Sequence, residues 1–299
     1  HEMAELGILA ASLPAEHGGL GLGATGVLIV AEAFGHAMVV EPYVATIVLG
    51  AAALEIGGTP AQRARIADVA TGDLLLAFAH DEPAMRYEYD AVETRATPDG
   101  DGWVLDGRKV AVLHGAVADR IVVTARAGDA VGAFLVPRTT VGLAVRGYVT
   151  SDGLSAADLA MSAVRVPQDA RLAAPPDLVA RVLDRGRAAA CAEAARALDA
   201  LVRRTVAYLG ARQQFGQPLA RFQALQHRVA DMAIEAEQAR SMALLAAMHA
   251  DAADAASRRR YVSAAAARMA QAAKFVGEQA VQLHGGVGMT DALDVSHYF

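Results

Sequence analysis

With one cysteine in 299 residues, Cys191, the chain has no internal disulfide and falls outside the disulfide-stapled secreted scaffolds. That fits a reducing cytoplasm. Cys191 lies in an alanine-rich run and reads as a small buried helix residue, not a nucleophile. Apolar runs of membrane-spanning length are also lacking, because Arg, Glu or Asp interrupts every alanine-rich stretch. We therefore expect helices packed in water and no stable membrane insertion. There is no excess of positive charge: the formal net charge of −6 gives no general attraction to nucleic acid or to an anionic membrane surface. No Gly-x-Gly-x-x-Gly element opens a helix, which argues against a Rossmann sheet. The nine histidines show no metal-ligand spacing, so no metal site is expected. No secretory or lipidation signal is recognisable.

Hydrophobic residues make up 54% of the chain and charged residues 20%, which excludes a disordered polymer. The length allows two or three domains, and the periodicity divides it into three. Residues 1–72 read as helical: a short stretch from Glu2 to Leu9, then Thr25 to His36, Pro42 to Ile56 and Ala61 to Ala70, with a glycine-rich loop from Glu16 to Gly23. Residues 73–172 read as β. Strand candidates are Leu74 to Phe78, Gly102 to Gly107 entering a turn, Arg120 to Ala125, Val131 to Val136, Val141 to Tyr148 and Leu159 to Val166. The connections are too short for helical crossovers, so antiparallel pairing is expected. Residues 173–299 read as a four-helix bundle, with helices at about 177–212, 223–250 and 255–283 and a short last one. The stripe Leu225, Val229, Met232, Ala236, Ala239, Ala243 and Ala246 marks the buried face of the second.

Two segments stand out chemically. The first runs from Arg212 through Gln213-Gln214-Phe215-Gly216 to Gln223, and reads as a helix that stops at Gly216, turns and restarts near Phe222. Arg212 offers a guanidinium suited to two-pronged contact with a phosphate, and Gln223 offers an amide donor. The second is Gln282-Leu283-His284-Gly285-Gly286-Val287-Gly288, where bare glycine backbone lets a ligand approach closely.

Together these blocks resemble the acyl-CoA dehydrogenase family: Arg-x-x-Phe-Gly followed by Gln, then a glutamine with Gly-Gly-x-Gly. The resemblance implies an α+β fold with N-terminal helices, an antiparallel barrel-like β domain and a C-terminal four-helix bundle. It implies FAD, with its diphosphate and adenosine end held across a subunit interface by Arg212, Phe215, Gln223, Gln282, Gly285 and Gly286. It also implies α,β-desaturation of an acyl-CoA thioester, electron-transferring flavoprotein as acceptor, and a like or unlike acyl-CoA dehydrogenase subunit as partner.

The β segment departs from the family pattern. Ala79-His80-Asp81-Glu82-Pro83-Ala84 stands where the family has Glu-Pro-Gly, and Lys109-Val110-Ala111-Val112-Leu113-His114 where it has Lys-x-Trp-Ile-Thr/Ser-Asn. Ala111 lacks the aromatic surface, and Leu113 lacks the hydroxyl that faces the flavin ring. The unusual β residues and the Gly288-Met289-Thr290-Asp291 ending resemble the small subunit of bacterial heteromeric enzymes, of pimeloyl-CoA or steroid side-chain type, that assemble as heterotetramers. A homomeric fatty-acyl-CoA dehydrogenase and a non-catalytic partner that completes an FAD site are the alternatives. The reaction needs a carboxylate base at the α-carbon. One family position for it is occupied by Gly186, which has no acid–base function, so the base is expected after Phe299. Arg187 matches a family arginine beside the active site and Asp184 an acidic position near the substrate, and Asp291 reads as a helix cap.

Overall fold

The computed structural model describes residues 2–86, 88–290 and 292–298. The chain folds as two compact units: His1–Gly26 with Val40–Gly186, and Val27–Val39 with Arg187–Phe299.

The first unit opens with short helices. α1 (Glu2–Glu5) stops earlier than its sequence suggests, because Gly7 takes φ +73°. α2 (Gly23–Ala37) follows the glycine loop. The single helix expected between Pro42 and Ile56 begins instead as a π-helix, Val44–Ala51, and continues as α3 (Ala52–Gly57). Its cause is contact with the first strand. The Thr46 hydroxyl donates to the Leu76 carbonyl at 3.0 Å and accepts the Leu76 N–H at 3.2 Å. A Cβ on Gly50 would stand 2.4 Å from the Leu76 Cβ, so only glycine admits this approach. The helix expected from Ala61 to Ala70 is two pieces, α4 (Pro60–Ala64) and α5 (Ile66–Ala70). A Thr59–Gln62 capping box starts α4.

Seven strands form one curled sheet: β1 (Leu76–Ala79), β2 (Arg95–Asp99), β3 (Gly102–Leu113), β4 (Arg120–Ala127), β5 (Ala130–Pro137), β6 (Leu143–Val149) and β7 (Ser155–Pro167). Pairing is antiparallel for β2–β3, β3–β7, β6–β7 and β4–β5. Antiparallel pairing predominates as expected, with β1 and Arg95 at the start of β2 lying parallel to β4. The β2–β3 hairpin intervenes between β1 and β4 and returns the chain in its original direction. Asp106-Gly107 is also no turn. β3 runs through it, and the bulge there is on β7, where Ala163 takes φ +49° and its N–H donates to Asp106 at 2.8 Å while Gly107 at φ +150° packs on Thr94. Apolar side chains from across the sheet, including Trp103, Leu105, Ile121, Phe134, Leu159 and Val164, meet in one buried cluster.

The second unit is a helical bundle of α6 (Leu178–Ala211, from Arg187 on), α7 (Gln223–His249) and α8 (Ala255–His284) with residues 27–39. On α7, Met232, Ala236, Ala239, Ala243 and Ala246 are buried as the periodicity requires, while Leu225 and Val229 are half-buried at its start. Alanine allows helices to approach closely at little side-chain entropy cost. The closest approach is at Gly35, where a Cβ would sit 1.8 Å from the Glu193 carbonyl oxygen. The expected last helix is a pair of 3₁₀ turns, Gly285–Met289 and Asp294–Tyr298. Asp291, read as a cap, lies outside the described residues. Among the described residues no helix is long and apolar enough to cross a membrane.

Two glycine substitutions separate packing from propensity. Gly35→Ala forces backbone apart and should cost about 1–3 kcal/mol or more. Gly210→Ala, on exposed α6 with open space at its Cβ, should stabilise by about 0.5–1 kcal/mol. Urea unfolding followed by circular dichroism reads both, and equal midpoints for the two variants would contradict the close-contact account.

Candidate functional site

Within the first unit, β3 carries Lys109 on the inward parity shared by Trp103 and Leu105. Its ammonium is fully buried and donates to Glu82 Oε1 at 2.7 Å, the His80 carbonyl at 2.9 Å and Thr124 Oγ1 at 2.9 Å. The Glu82 carboxylate also accepts the backbone N–H groups of Glu93 at 2.7 Å and Thr94 at 3.1 Å. His80 Nδ1 lies 3.0 Å from Thr124 Oγ1, and its ring stacks between Phe78 and Tyr89. Burial drives the Lys109 pKa down to about 8 against the pull of Glu82. Burial raises that of Glu82, but Lys109, Thr94 and the Glu93 amide outweigh it and the net shift is downward. Burial and the neighbouring Lys109 push His80 down to about 4. The cluster therefore ties the loop bearing Glu82-Pro83 to the sheet interior. Sequence reading quoted Glu82 and Lys109 in separate motifs and missed that they pair. The strand alternation that puts Lys109 inward was the available signal.

Just past Lys109 a bulge in β3 turns Ala111 outward at φ +50°. Asp158 holds it there, accepting the Ala111 N–H at 3.3 Å and the Tyr148 hydroxyl at 3.2 Å. Ala111 is exposed and Leu113 half-buried, so this face offers neither an aromatic ring nor a hydroxyl from those positions.

At the start of α6, Asp184 is buried and Arg187 half-buried, three residues apart on one helix face. Arg185 pairs with Glu55 at 2.6 Å. Gly186 faces Leu49 of the π-helix, whose Cδ2 would lie 2.8 Å from a Cβ there. The apolar Leu49 fills the space a side chain at 186 would enter.

The second unit carries the other candidates. α6 ends at Ala211, and the turn is a short hairpin, β8 (Gln213–Gln214) with β9 (Gln217–Pro218). This replaces the helix stop expected at Gly216. Phe215 at φ +53° and Gly216 at φ +79° occupy its two central positions, the left-handed pair of a type I′ turn. Glycine takes that conformation freely, whereas phenylalanine is strained in it by about 1–3 kcal/mol. Phe215 is nonetheless 87% exposed, touching the edge of Phe222 with ring centroids 6.0 Å apart. Arg212 is exposed, and its guanidinium has no ion-pair partner among the described residues. Gln223 is exposed at the first position of α7.

At the end of α8, Gln282, Gly285 and Gly286 line one open cavity of about 860 Å³ with Lys274, Met289 and Tyr298 among others. Gly285 takes φ +68°, and a Cβ at either glycine would meet nothing within 4 Å. These glycines are not filling a crowded contact; they leave backbone open to the cavity. The structure thus brings Gln282, Gly285 and Gly286 together in one cavity and puts Arg212 and Phe215 on one turn. An unpaired guanidinium, exposed amides and bare backbone suit the anionic diphosphate end of FAD. The β3 face, with Ala111 and Leu113, does not supply the contacts a flavin ring would take from those positions. Among the described residues no group of three His, Cys, Asp or Glu is placed to hold a metal ion.

Comparison with known proteins gives matches along nearly the whole chain. The family descriptions "Acyl-CoA dehydrogenase, N-terminal domain", "middle domain" and "C-terminal domain" match residues 1–73, 77–165 and 177–299. The probable acyl-CoA dehydrogenase YngJ of Bacillus subtilis (strain 168) is 31% identical over 96% of this chain and 79% of its own length. A chain of the ChsE4–ChsE5 complex from Mycobacterium tuberculosis superposes with TM-score 0.89 at 28% identity, covering 100% of this chain and 80% of that one. A chain of the Tcur3481–Tcur3483 steroid ACAD gives TM-score 0.88 at 31% identity, with the same coverage.

The buried cluster makes the first unit sensitive to acid. His80 is neutral in the folded state down to about pH 4, while an unfolded histidine gains its proton near 6.5. Its contribution is therefore fully present above pH 6.5 and is lost as pH falls toward 4, by ~3 kcal/mol in all. Glu82, with its folded pKa lowered, acts in the same sense: its share is present above the ordinary carboxylate value and disappears as pH falls through the lowered one. Trp103, the single tryptophan, lies in this unit's core and reports its unfolding. His80→Gln should flatten the loss of urea stability between pH 6.5 and 4, and an unchanged slope would remove His80 as the cause.

Proposed function

Because the chain belongs to the acyl-CoA dehydrogenase family, we propose that it works as one subunit of a heteromeric FAD-dependent acyl-CoA dehydrogenase, supplying the site for the cofactor's diphosphate and adenosine end. The assembly converts an acyl-CoA thioester into its trans α,β-unsaturated product and passes electrons to an electron-transferring flavoprotein. Likeness to chains of two-protein assemblies, one a steroid ACAD, favours an unlike partner in a cytoplasmic heterotetramer. It also favours bulky CoA esters, with steroid side-chain, ring-derived or dicarboxylic acyl groups.

The observation that carries this reading is the turn at Phe215. A large aromatic is held strained and 87% exposed beside Arg212, whose guanidinium has no ion-pair partner among the described residues. Covered by a cofactor bound mainly in a neighbouring subunit, both residues gain partners. Arg212 then makes a two-pronged contact with the diphosphate, and Phe215 packs beside the cofactor. Gln223 and Gln282 donate hydrogen bonds, and Gly285 and Gly286 present backbone N–H groups. Bound FAD supplies the hydride acceptor for the β-carbon.

For the acid–base step this chain offers little. Gly186 is closed by Leu49, and Ala111 and Leu113 give the flavin ring no hydroxyl. We assign the ring contacts to the partner subunit, and the base at the α-carbon to that partner or to the continuation after Phe299. Arg187 and Asp184 keep the places the resemblance gives them, beside the active site and near the substrate.

Two measurements test the reading. Purified alone, the chain should retain little FAD and oxidise no acyl-CoA, whereas co-expression with the unlike subunit should restore both. A chain that binds FAD stoichiometrically and turns over alone would overturn it. In the assembly, Arg212→Ala and Arg212→Lys should both weaken FAD retention, since lysine lacks the planar fork, by about 10-fold or more for alanine. Equal dissociation constants for wild type and both variants would remove Arg212 from the site.

A further inference from the structure

We propose that Tyr208 and His284 form a positioning pair that holds the Arg212 turn and the Gly285–Gly286 backbone in a fixed relation, so that both reach one FAD diphosphate. The inference rests on the cofactor reading above and adds two residues that touch no ligand in it.

Tyr208 stands in the last turn of α6, and its carbonyl accepts the Arg212 N–H at 2.8 Å. The Arg212 carbonyl in turn accepts the Leu219 N–H at 2.8 Å, closing the hairpin that displays Phe215. On its other side, the Tyr208 hydroxyl donates to the His284 carbonyl at 3.3 Å, and the two rings lie 4.3 Å apart at 31°. His284 is the last residue of α8 and the residue before the diglycine. It is also the N-cap of the 3₁₀ turn Gly285–Met289, and the phenol adds a donor to its carbonyl at that junction. His284 itself is only 6% exposed, and its Nδ1 donates to the Ala280 carbonyl at 2.8 Å, which fixes the ring against its own helix.

Tyr208 therefore meets both parts, its backbone carbonyl carrying the end of α6 into the cationic turn and its side chain reaching the residue before the diglycine. The phosphate groups it serves are shared by elements more than seventy residues apart in sequence (Arg212 to Gly285). The Arg212 backbone is hydrogen-bonded to Tyr208 and Leu219, while its guanidinium has no ion-pair partner among the described residues. Without the pair, the end of α6 and the end of α8 still belong to one bundle, but the two anion-binding parts lose their register.

The test uses the assembled enzyme with its partner subunit, stripped of flavin and titrated with FAD. Tyr208→Leu and His284→Leu should raise the FAD dissociation constant about 10-fold to 100-fold. Tyr208→Phe keeps the ring contact with His284 but not the hydroxyl bond and should fall between wild type and Tyr208→Leu, with the folded spectrum and assembly size of the wild type. The deciding readout is the double variant Tyr208→Leu with Arg212→Ala. If Tyr208 acts through Arg212, the double variant should bind FAD within about threefold of Arg212→Ala alone. Losses that multiply in the double variant, or wild-type affinity in Tyr208→Leu and His284→Leu while Arg212→Ala loses binding, would overturn the positioning role and leave the cofactor reading standing. Wild-type affinity in Arg212→Ala would instead remove the cofactor reading and this inference together.

Discussion

The salt bridge between Lys109 and Glu82, 2.7 Å long and out of reach of water, constrains the first unit more than any other contact. Burying two charges is expensive, and their mutual attraction offsets that cost only where every remaining donor and acceptor is met. Here they are: the ammonium has a carboxylate, a carbonyl and a hydroxyl, and the carboxylate has two backbone amides as well. The amides come from Glu93 and Thr94, at the far end of the loop that Glu82 begins. Loop, β3 and β4 are thus pinned at one point, and the bulge that turns Ala111 outward starts from it. A well-packed apolar pair would fill the same volume at no greater cost, but it would not fix which carbonyl and which amide the loop presents.

The second unit is organised by the opposite means. Its contacts are small and apolar, with alanines at the helix interfaces and Gly35 against the Glu193 carbonyl. Helices that approach this closely leave little room for side-chain adjustment, so the positions of their ends follow from the packing of their middles. That rigidity lets a strained residue such as Phe215 persist, because the surrounding helices over-determine the turn. The polar groups needed for a phosphate then lie at helix ends, where backbone groups are already short of partners.

The three-part order of helices, sheet and bundle was legible from periodicity, and the long helices were placed within a residue or two because alanine stripes over such lengths admit one reading. Shorter elements were read less well. The π-helix at Val44 follows from Thr46 and Gly50 meeting Leu76, a contact thirty residues distant that local pattern does not carry. β2 escaped notice because Arg95-Ala96-Thr97-Pro98-Asp99 lacks an apolar alternation. It pairs fully with β3 but touches β4 only at Arg95, so most of its other edge is free and tolerates Pro98. Parallel β1–β4 pairing was missed for a topological reason, since the intervening hairpin reverses the chain twice. At the site, motif resemblance gave Arg212, Phe215, Gln223, Gln282, Gly285 and Gly286 as a set, but the hairpin geometry and the Tyr208–His284 contact depend on tertiary packing.

A cofactor site divided between chains has an energetic consequence that a site within one chain lacks. FAD that touches both subunits binds the assembly and not the separated chains, so it stabilises the assembled state by mass action, in proportion to RT ln(1 + [FAD]/Kd). At a hundredfold excess over the dissociation constant this amounts to about 2.7 kcal/mol, comparable with the cost of the strained Phe215 turn. In the proposed assembly the strain of the Phe215 turn is offset by contacts made only in the complex. A subunit built in this way gains nothing from holding flavin-ring contacts of its own. Its phosphate end needs an unpaired guanidinium and bare backbone, both tolerant of small errors, whereas the ring end needs a hydroxyl at one position. Loss of the second at Leu113 and of a side chain at Gly186 leaves the first intact, because the two requirements reside in different units of the chain.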